Sequence, residues 1–458
     1  MTSPPRIGTN FQRYLYANYR GFYSFKNAFQ NRFTRAGFLV IAGLVATGTI
    51  GLDTNLVVTY QAFAFLACLL FTAILTSRLA LPQVSVRREL PRYATVGAPL
   101  RYTVHLTNLR PRLQPGLTYI EQPADPRPSL QEFCTTKEPG EEKRNWLDRR
   151  YVYYRWTWLI GLNQHAIPRE QPLPVLPPNG EVEFATELVP LRRGTLRLLG
   201  LTINCPDAFG LYRSFVRVPA PERVLVLPRR YALPAVALPG SLKYQQGGVA
   251  LASSVGESEE FISLRDYRPG DPRRHIHWKS WAKTGKPIVK EFQDEFFVRH
   301  ALVLDTFSDD PYSDLFEEAV SVAASFACNL QTQDSLLDLM FVGSEAYCFT
   351  SGRGLAHAEQ MLEVLAAVRV TNDTNFAALP RAVLDRISGV SGCVLVLLAW
   401  DDRRQDFVKR LKQLDIPLRV FVIVPDDHPP LDPGPLRDQP QNLVALPVTR
   451  VAETLAAL

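Results

Sequence analysis

Between Gly256 and Phe292 the chain reads GESEEFISLRDYRPGDPRRHIHWKSWAKTGKPIVKEF, a dense mixture of acids, bases, imidazoles and indoles. Pro269 and Gly270 suit the central positions of a type II turn, since proline fixes the first φ and glycine accepts a positive second one. Asp271 follows directly. Arg265, Tyr267, Arg274, Trp278 and Lys283 combine charged forks with aromatic faces, which suits either a buried ion-pair network or a docking surface. His275 and His277 flank Ile276; in a strand that spacing puts both imidazoles on one face, as a metal centre needs. Apart from Asp271, near in sequence, no third ligand is evident, so a turn-stabilising or interface role is favoured for the pair. The alternative reading is a metal-dependent hydrolase of unknown substrate that uses Asp271, His275 and His277 or the Asp305 cluster.

Other chemistries fare less well. Arg273, Arg274, Trp278, Lys279, Lys283 and Lys286 are interleaved as in a nucleic-acid stacking platform, but Glu257, Glu259, Glu260, Asp266 and Asp271 offset those bases. No nucleic-acid partner is expected. The chain has no P-loop, G-x-S-x-G elbow, H-E-x-x-H or dinucleotide fingerprint, and Ser253 and Ser254 lack a sequence-defined base. The expectation is therefore a protein that is not an enzyme.

The segment resembles the domain of unknown function 58 family, whose signature runs G-E, L-R-x-Y, G-D-x-x-R-x-I-x-W and then A-R or A-K. Gly256, Glu257, Leu264, Arg265, Tyr267, Gly270, Asp271, Arg274, Ile276, Trp278, Ala282 and Lys283 fall on it in order, as does the upstream PDAFGLY from Pro206 to Tyr212. The resemblance covers most of the chain, excluding Glu121 to Gly180. It implies an N-terminal membrane hairpin, a β region, the signature and a von Willebrand factor A-like domain, with a MoxR-type AAA+ ATPase as partner.

The same resemblance implies a place for Mg²⁺. In von Willebrand A-like domains a D-x-S-x-S motif after the first strand, with a later threonine and aspartate, holds the ion through oxygen ligands. The stretch here is Asp305, Thr306, Phe307, Ser308, Asp309, and only its first position matches. Phe307 supplies no oxygen, and Asp309 replaces the second serine. Thr374 and Asp401 stand for the later positions. The metal set Asp305, Asp309, Thr374 and Asp401 is thus degraded, and Mg²⁺ is expected to bind weakly or not at all.

Positioning these residues falls to a chain of 458 residues, long enough for two or three folded units. Apolar residues at 46% and charged residues at 21% exclude wholesale disorder, a collagen-like repeat and a polytopic membrane protein. The six cysteines form no C-x-x-C pair, so a reducing compartment fits better than a disulfide scaffold. The net charge of +6 is carried by Arg6, Arg13, Arg20, Lys26, Arg32 and Arg35, which precede the first acid.

Two charge-free runs follow this arm, Ala36 to Leu52 and Leu56 to Thr76, joined by Asp53 to Asn55. The second has 21 residues, roughly 31 Å as a helix. The two are expected to form a transmembrane hairpin over residues 36–76. Arginines flank its outer ends, so the positive-inside rule puts both ends and the body of the chain in the cytoplasm. In the arm, Phe11, Leu15, Tyr19, Phe22, Phe25, Phe29 and Phe33 recur at helical spacing between bases. That suggests an interfacial helix on membrane lipid, although Gly21 weakens the helix and a disordered basic tail is the alternative.

Residues 81–240 hold more than half of the 36 prolines between short β-like runs and read as an all-β sandwich. A Pro-rich insertion occupies 121–180. Within it, YVYYRWTWLIGL (Tyr151 to Leu162) reads as a strand or as a membrane-resting loop. After the signature segment 241–298, residues 299–458 alternate apolar strands with helices, an α/β pattern with a mostly parallel sheet. Helices are expected near 314–330, 355–368, 376–387 and 403–414.

The sequence thus predicts a membrane-anchored cytoplasmic adaptor or assembly factor. It would work with a MoxR-type ATPase on a membrane-associated protein client. Its signature segment would organise an interface, between the β region and the α/β unit or with a partner.

Overall fold

The computed structural model describes residues 9–50, 57–79, 81–234, 261–271, 273–292, 299–310, 312–330, 336–343, 345–351, 355–371, 376–387 and 390–458. The chain forms two compact units, Met1–Arg229 with Leu362–Val368, and Arg230–Met361 with Arg369–Leu458.

The first unit begins with α1 (Asn10–Arg32), α2 (Arg35–Ile50) and α3 (Val57–Leu79). Helix α1 starts on a capping box in which Thr9 Oγ1 accepts from Gln12 N and the Gln12 side chain accepts from Thr9 N. Gly21 does not interrupt it. Helices α2 and α3 pack antiparallel, Gly43 lying against Leu66 and Gly48 against Phe63. Among the described residues, Val58–Arg78 is the one helix long and apolar enough to cross a membrane; α2, with 16 residues, is shorter. The expected turn Asp53 to Asn55 lies outside the described residues.

Next come β1 (Val84–Glu89), β2 (Tyr93–Thr95), β3 (Leu100–Asn108) and β4 (Thr118–Pro123), then three helices, α4 (Leu130–Thr135), α5 (Trp146–Tyr151) and α6 (Tyr153–Asn163). Strands β5 (Gln171–Pro172), β6 (Glu181–Leu188), β7 (Gly194–Pro206) and β8 (Arg213–Leu227) complete the unit. They make a three-stranded sheet, β1-β3-β6, and a five-stranded one, β2-β8-β7-β4-β5. Alternate residues of the two sheets share one core, with Tyr102, Val104 and Leu106 on β3 and Leu196, Leu198, Leu201 and Ile203 on β7. Inside the protein, Glu121 accepts from Arg88 Nη2 at 2.8 Å and from the Tyr102 hydroxyl at 2.6 Å.

The tryptophan-rich island is helical, neither strand nor loop. Its buried residues Arg155, Trp156, Leu159 and Leu162 recur with helical spacing. They close on α4 and α1: Tyr16 lies 5.9 Å from Phe133 and 5.7 Å from Trp156, ring to ring, and Tyr19 donates to Tyr151 O at 2.8 Å. Alternation of apolar and polar types could not distinguish the two periods over so short a run. The packing partner, α1, decides.

In the second unit, β9 (Phe261–Asp266), α7 (Trp278–Thr284) and β10 (Ile288–Phe292) form the signature hairpin. Then follow β11 (Arg299–Leu304), α8 (Asp314–Leu330), β12 (Leu336–Val342), β13 (Ala346–Ser351), α9 (Leu355–Ala367), α10 (Ala378–Leu384), β14 (Gly392–Leu397), α11 (Asp402–Gln413), β15 (Leu418–Val424), β16 (Leu443–Pro447) and α12 (Val451–Ala456). The boundary between the units falls within α9. The sheet order is β13-β12-β11-β14-β15-β16, parallel throughout except for β13. Strands buried on both faces read as unbroken apolar runs, which is why β11, β14 and β15 were legible. On one face Val303, Leu395 and Val422 meet Val383 of α10 and Phe407 and Leu411 of α11. On the other, Phe326 of α8 lies 4.8 Å from Phe421, ring to ring.

Candidate functional site

Strands β9 and β10 pair antiparallel, Arg265 opposite Val289 and Asp266 opposite Ile288. Tyr267 N continues the ladder to Pro287 O at 3.0 Å. The turn then closes as its residues require: Asp271 N donates to Arg268 O at 3.0 Å, and Gly270 at φ 112° takes the conformation that L side chains avoid. This turn delivers Asp271 back to its own strand. Its two carboxylate oxygens accept from Arg265 Nη1 and Nη2 at 2.7 and 2.8 Å, and Oδ2 also accepts from Arg268 N at 2.8 Å. The Arg265 fork, helped by the Arg268 amide, holds the Asp271 carboxyl well below its ordinary range, at about 2.

Beyond the turn, Ile276 bridges to Val289 and His277 N donates to Ile288 O at 2.8 Å, so the loop folds back onto β10. Helix α7 ends on Gly285 at φ 70°. It stacks Trp278 on Trp281, with centroids 5.2 Å apart and an interplanar angle of 18°. Trp281 is half-buried, whereas Trp278 is 64% exposed. Arg274 and Lys283 are also exposed, and Tyr267 is half-buried. The two histidines do not share a strand face: His275 ends a 3₁₀ turn, and His277 Nδ1 lies 2.6 Å from Ser280 Oγ at the start of α7. A 3₁₀ turn before Ile276 and the helix start after it keep the two residues from forming a common strand. Gly256 and Glu257 lie outside the described residues.

A second cluster sits where β11 and β14 end. Asp305 is fully buried and shares one guanidinium with Asp401. Arg404 Nε donates to Asp305 Oδ2 at 2.6 Å, Nη1 to Asp401 Oδ2 at 2.8 Å and Nη2 to Phe307 O at 3.0 Å. The backbone amides of Phe307 and Leu398 complete the shell of Asp305 at 3.0 and 3.2 Å. Burial pushes the Asp305 carboxyl upward, against the pull of Arg404 and those two amides. Asp401 also caps α11, its Oδ1 accepting from Arg404 N at 2.9 Å. Phe376 closes the group, the Arg404 guanidinium carbon lying 4.9 Å from its ring centroid.

Two of the four expected metal ligands, Asp305 and Asp401, are thus brought together around a side-chain cation. Asp309 is exposed, and Thr374 lies outside the described residues. Among the described residues no group of three or more His, Cys, Asp or Glu is placed to hold a metal ion. The role of Arg404 as the cation of this cluster was not read from the sequence. The signal for its role was its place three residues after the capping Asp401, one helical turn from a carboxylate-bearing strand end.

The PDAFGLY segment has a different task. Asp207 accepts from Tyr212 N at 2.8 Å and from Phe209 N at 2.9 Å, and Gly210 has φ 68°, which together form the tight turn from β7 to β8. Leu211 and Tyr212 then pack against Phe33, Val40, Leu69 and Ala73 at one end of α2 and α3. A Cβ on Gly37 would stand 2.2 Å from Leu211 O.

A search of curated proteins finds 27% identity over 184 residues with "Uncharacterized protein YeaD" of Bacillus subtilis (strain 168), covering 39% of this chain. The chain spans 44% of that relative's length. Among solved structures, the CARDB domain of the PF1109 protein from Pyrococcus furiosus, in complex with di-metal ions, is 14% identical and covers 32% of this chain and 89% of its own, at a TM-score of 0.16. A β-glucosidase from Listeria innocua is 10% identical over 32% of this chain and 16% of its own, also at 0.16. Likenesses of that size carry no argument about the fold. Residues 263–423, which span most of the signature hairpin and the Asp305–Arg404 strand ends, match the family described as protein of unknown function DUF58.

Proposed function

We propose that the chain is a membrane-anchored cytoplasmic adaptor or assembly factor that engages a MoxR-type AAA+ ATPase and couples it to a membrane-associated client. The observation that carries this reading is Trp278, an indole 64% exposed on a helix and stacked on Trp281. A large aromatic side chain held rigid in water costs solvation without adding to a core. Tryptophan and arginine are the residue types that most often anchor protein interfaces.

The six-stranded sheet is read as von Willebrand A-like, with its loop rim after Asp305 and around Asp401 kept in shape by Arg404 in place of a divalent cation. Docking there would rely on side chains. Helix α3, with α2 packed antiparallel against it, is read as a two-span anchor with both ends in the cytoplasm. A reporter fused after Leu458 is expected to be active on the cytoplasmic side only. The partner is tested by co-purifying the detergent-solubilised full chain with MoxR-type ATPases from its source, with and without nucleotide. Recovery that is lost in Trp278→Ala supports the reading; equal recovery by the variant, or none by the wild type, rejects it.

A further inference from the structure

The first unit contains a cleft of about 480 Å³ between α1 and the face of the five-stranded sheet. Ile120, Thr202 and Arg217 lie side by side across β4, β7 and β8, with Asn204 and Phe215 in the next row, and these residues line it. Arg32, at the end of α1, lines it from the other side.

Both walls end at the foot of the apolar helices. Arg32 precedes the first residue of α2 by three positions, and Phe215 follows Ser214, whose hydroxyl lies 2.8 Å from that of Ser77 in the last turn of α3. If α3 crosses a bilayer, the cleft lies at headgroup depth. The outer face of α1 agrees with that depth. Tyr14, Phe22 and Phe25 are each about two-thirds exposed, and Phe25 stacks on Phe29 at 5.7 Å. Phe29 in turn meets Phe38 of α2 at 5.5 Å, so an aromatic stripe runs from the arm onto the apolar helix. No acid interrupts α1. Aromatic rings beside arginines concentrate at the lipid–water interface.

The lining states what the cleft would take. Among the described residues neither Arg32 nor Arg217 has an ion-pair partner, whereas Glu121 is matched by Arg88 and Asp125 by Arg127. The unmatched charge is positive. Asn204, 2% exposed, donates through Nδ2 to Glu170 at 3.1 Å, while its Oδ1 is buried without a hydrogen-bond partner. A buried acceptor left open calls for a donor. We propose that the cleft holds the headgroup of an anionic, hydroxyl-bearing lipid of the phosphatidylglycerol type. Arg32 and Arg217 take the phosphate, and a headgroup hydroxyl donates to Asn204 Oδ1. The proposal rests on the membrane-anchored reading.

The test uses the full chain in neutral detergent, with thermal unfolding followed as short-chain phosphatidylglycerol, phosphatidic acid, phosphatidylcholine or inorganic phosphate is added. Phosphatidylglycerol is expected to raise Tm saturably and more than the other three. Arg32→Gln with Arg217→Gln, both exposed positions, weakens that binding about tenfold or more, and Asn204→Leu erases the preference over phosphatidic acid. An equal rise with phosphatidylcholine, an equal rise with phosphate alone, or unchanged binding by the double variant overturns the proposal. Carbonate extraction of membranes separates the two readings. A wild type that washes off refutes the anchor, whereas one that stays while the lipid arms fail refutes only the cleft.

Discussion

Arg404 Nε lies 2.6 Å from the Oδ2 of Asp305, a fully buried carboxylate at the carboxyl end of a central strand, and among the described residues no other side chain is placed to neutralise it. The pair makes the end of the sheet depend on one guanidinium. Removing one partner of a buried ion pair strands the other charge in a low dielectric, a cost of about 3–5 kcal/mol. Arg404→Ala is therefore expected to lower the unfolding free energy of the full chain by about that amount. Replacing both partners, Asp305→Asn with Arg404→Met, is expected to cost far less than Arg404→Ala alone. Denaturant titration in detergent measures both.

The same guanidinium bears on metal binding. A cation fixed between Asp305 and Asp401 repels a second one and already uses the oxygens that a divalent ion would need. Calorimetric titration of the wild type with Mg²⁺ is expected to show no saturable binding at micromolar concentrations. A micromolar site that disappears in Asp305→Ala would contradict this.

Asp271 gives the signature hairpin a defined acid limit. Its folded pKa, about 2, lies below the ordinary carboxyl value near 3.9, so its contribution is fully present above about pH 4. As pH falls toward 2, the folded form loses its advantage and the brace is lost. A carboxyl carbon titration by NMR is expected to place the midpoint for Asp271 well below those of solvated aspartates. Asp271→Asn is expected to flatten the acid dependence of hairpin order between those limits.

Gly37 tests how the β unit is joined to the apolar helices. Its missing side chain lets α2 approach the Leu211 carbonyl, where a Cβ would stand 2.2 Å away. Since the obstacle is backbone, no rotamer change relieves it. Gly37→Val is expected to destabilise the docked helices by about 1–3 kcal/mol, seen as a lower Tm in detergent. Gly21→Ala, with nothing within 4 Å of the added atom, is expected to be neutral or mildly stabilising.

The local code carried the elements that satisfy themselves. Largely apolar runs set β11, β12, β14 and β15, because strands buried on both faces need no polar alternation. Pro269 and Gly270 set the turn that returns Asp271 to Arg265, since their allowed φ values leave few alternatives. The charge-free run from Leu56 to Thr76 marked an apolar helix by composition alone. What depended on a distant partner was not legible. Tyr153 to Leu162 is helical because Trp156 and Leu159 have α4 and α1 to bury against, and that company lies far away in sequence. PDAFGLY reads as a motif without a task until Leu211 meets Gly37. Asp305 reads as the remnant of a metal ligand until the fold brings Arg404 of α11, 99 residues further along the chain, into hydrogen-bond contact with its carboxylate. Periodicity and turn chemistry report only what neighbours in sequence can enforce, and the contact between Asp305 and Arg404 is one that neither can encode.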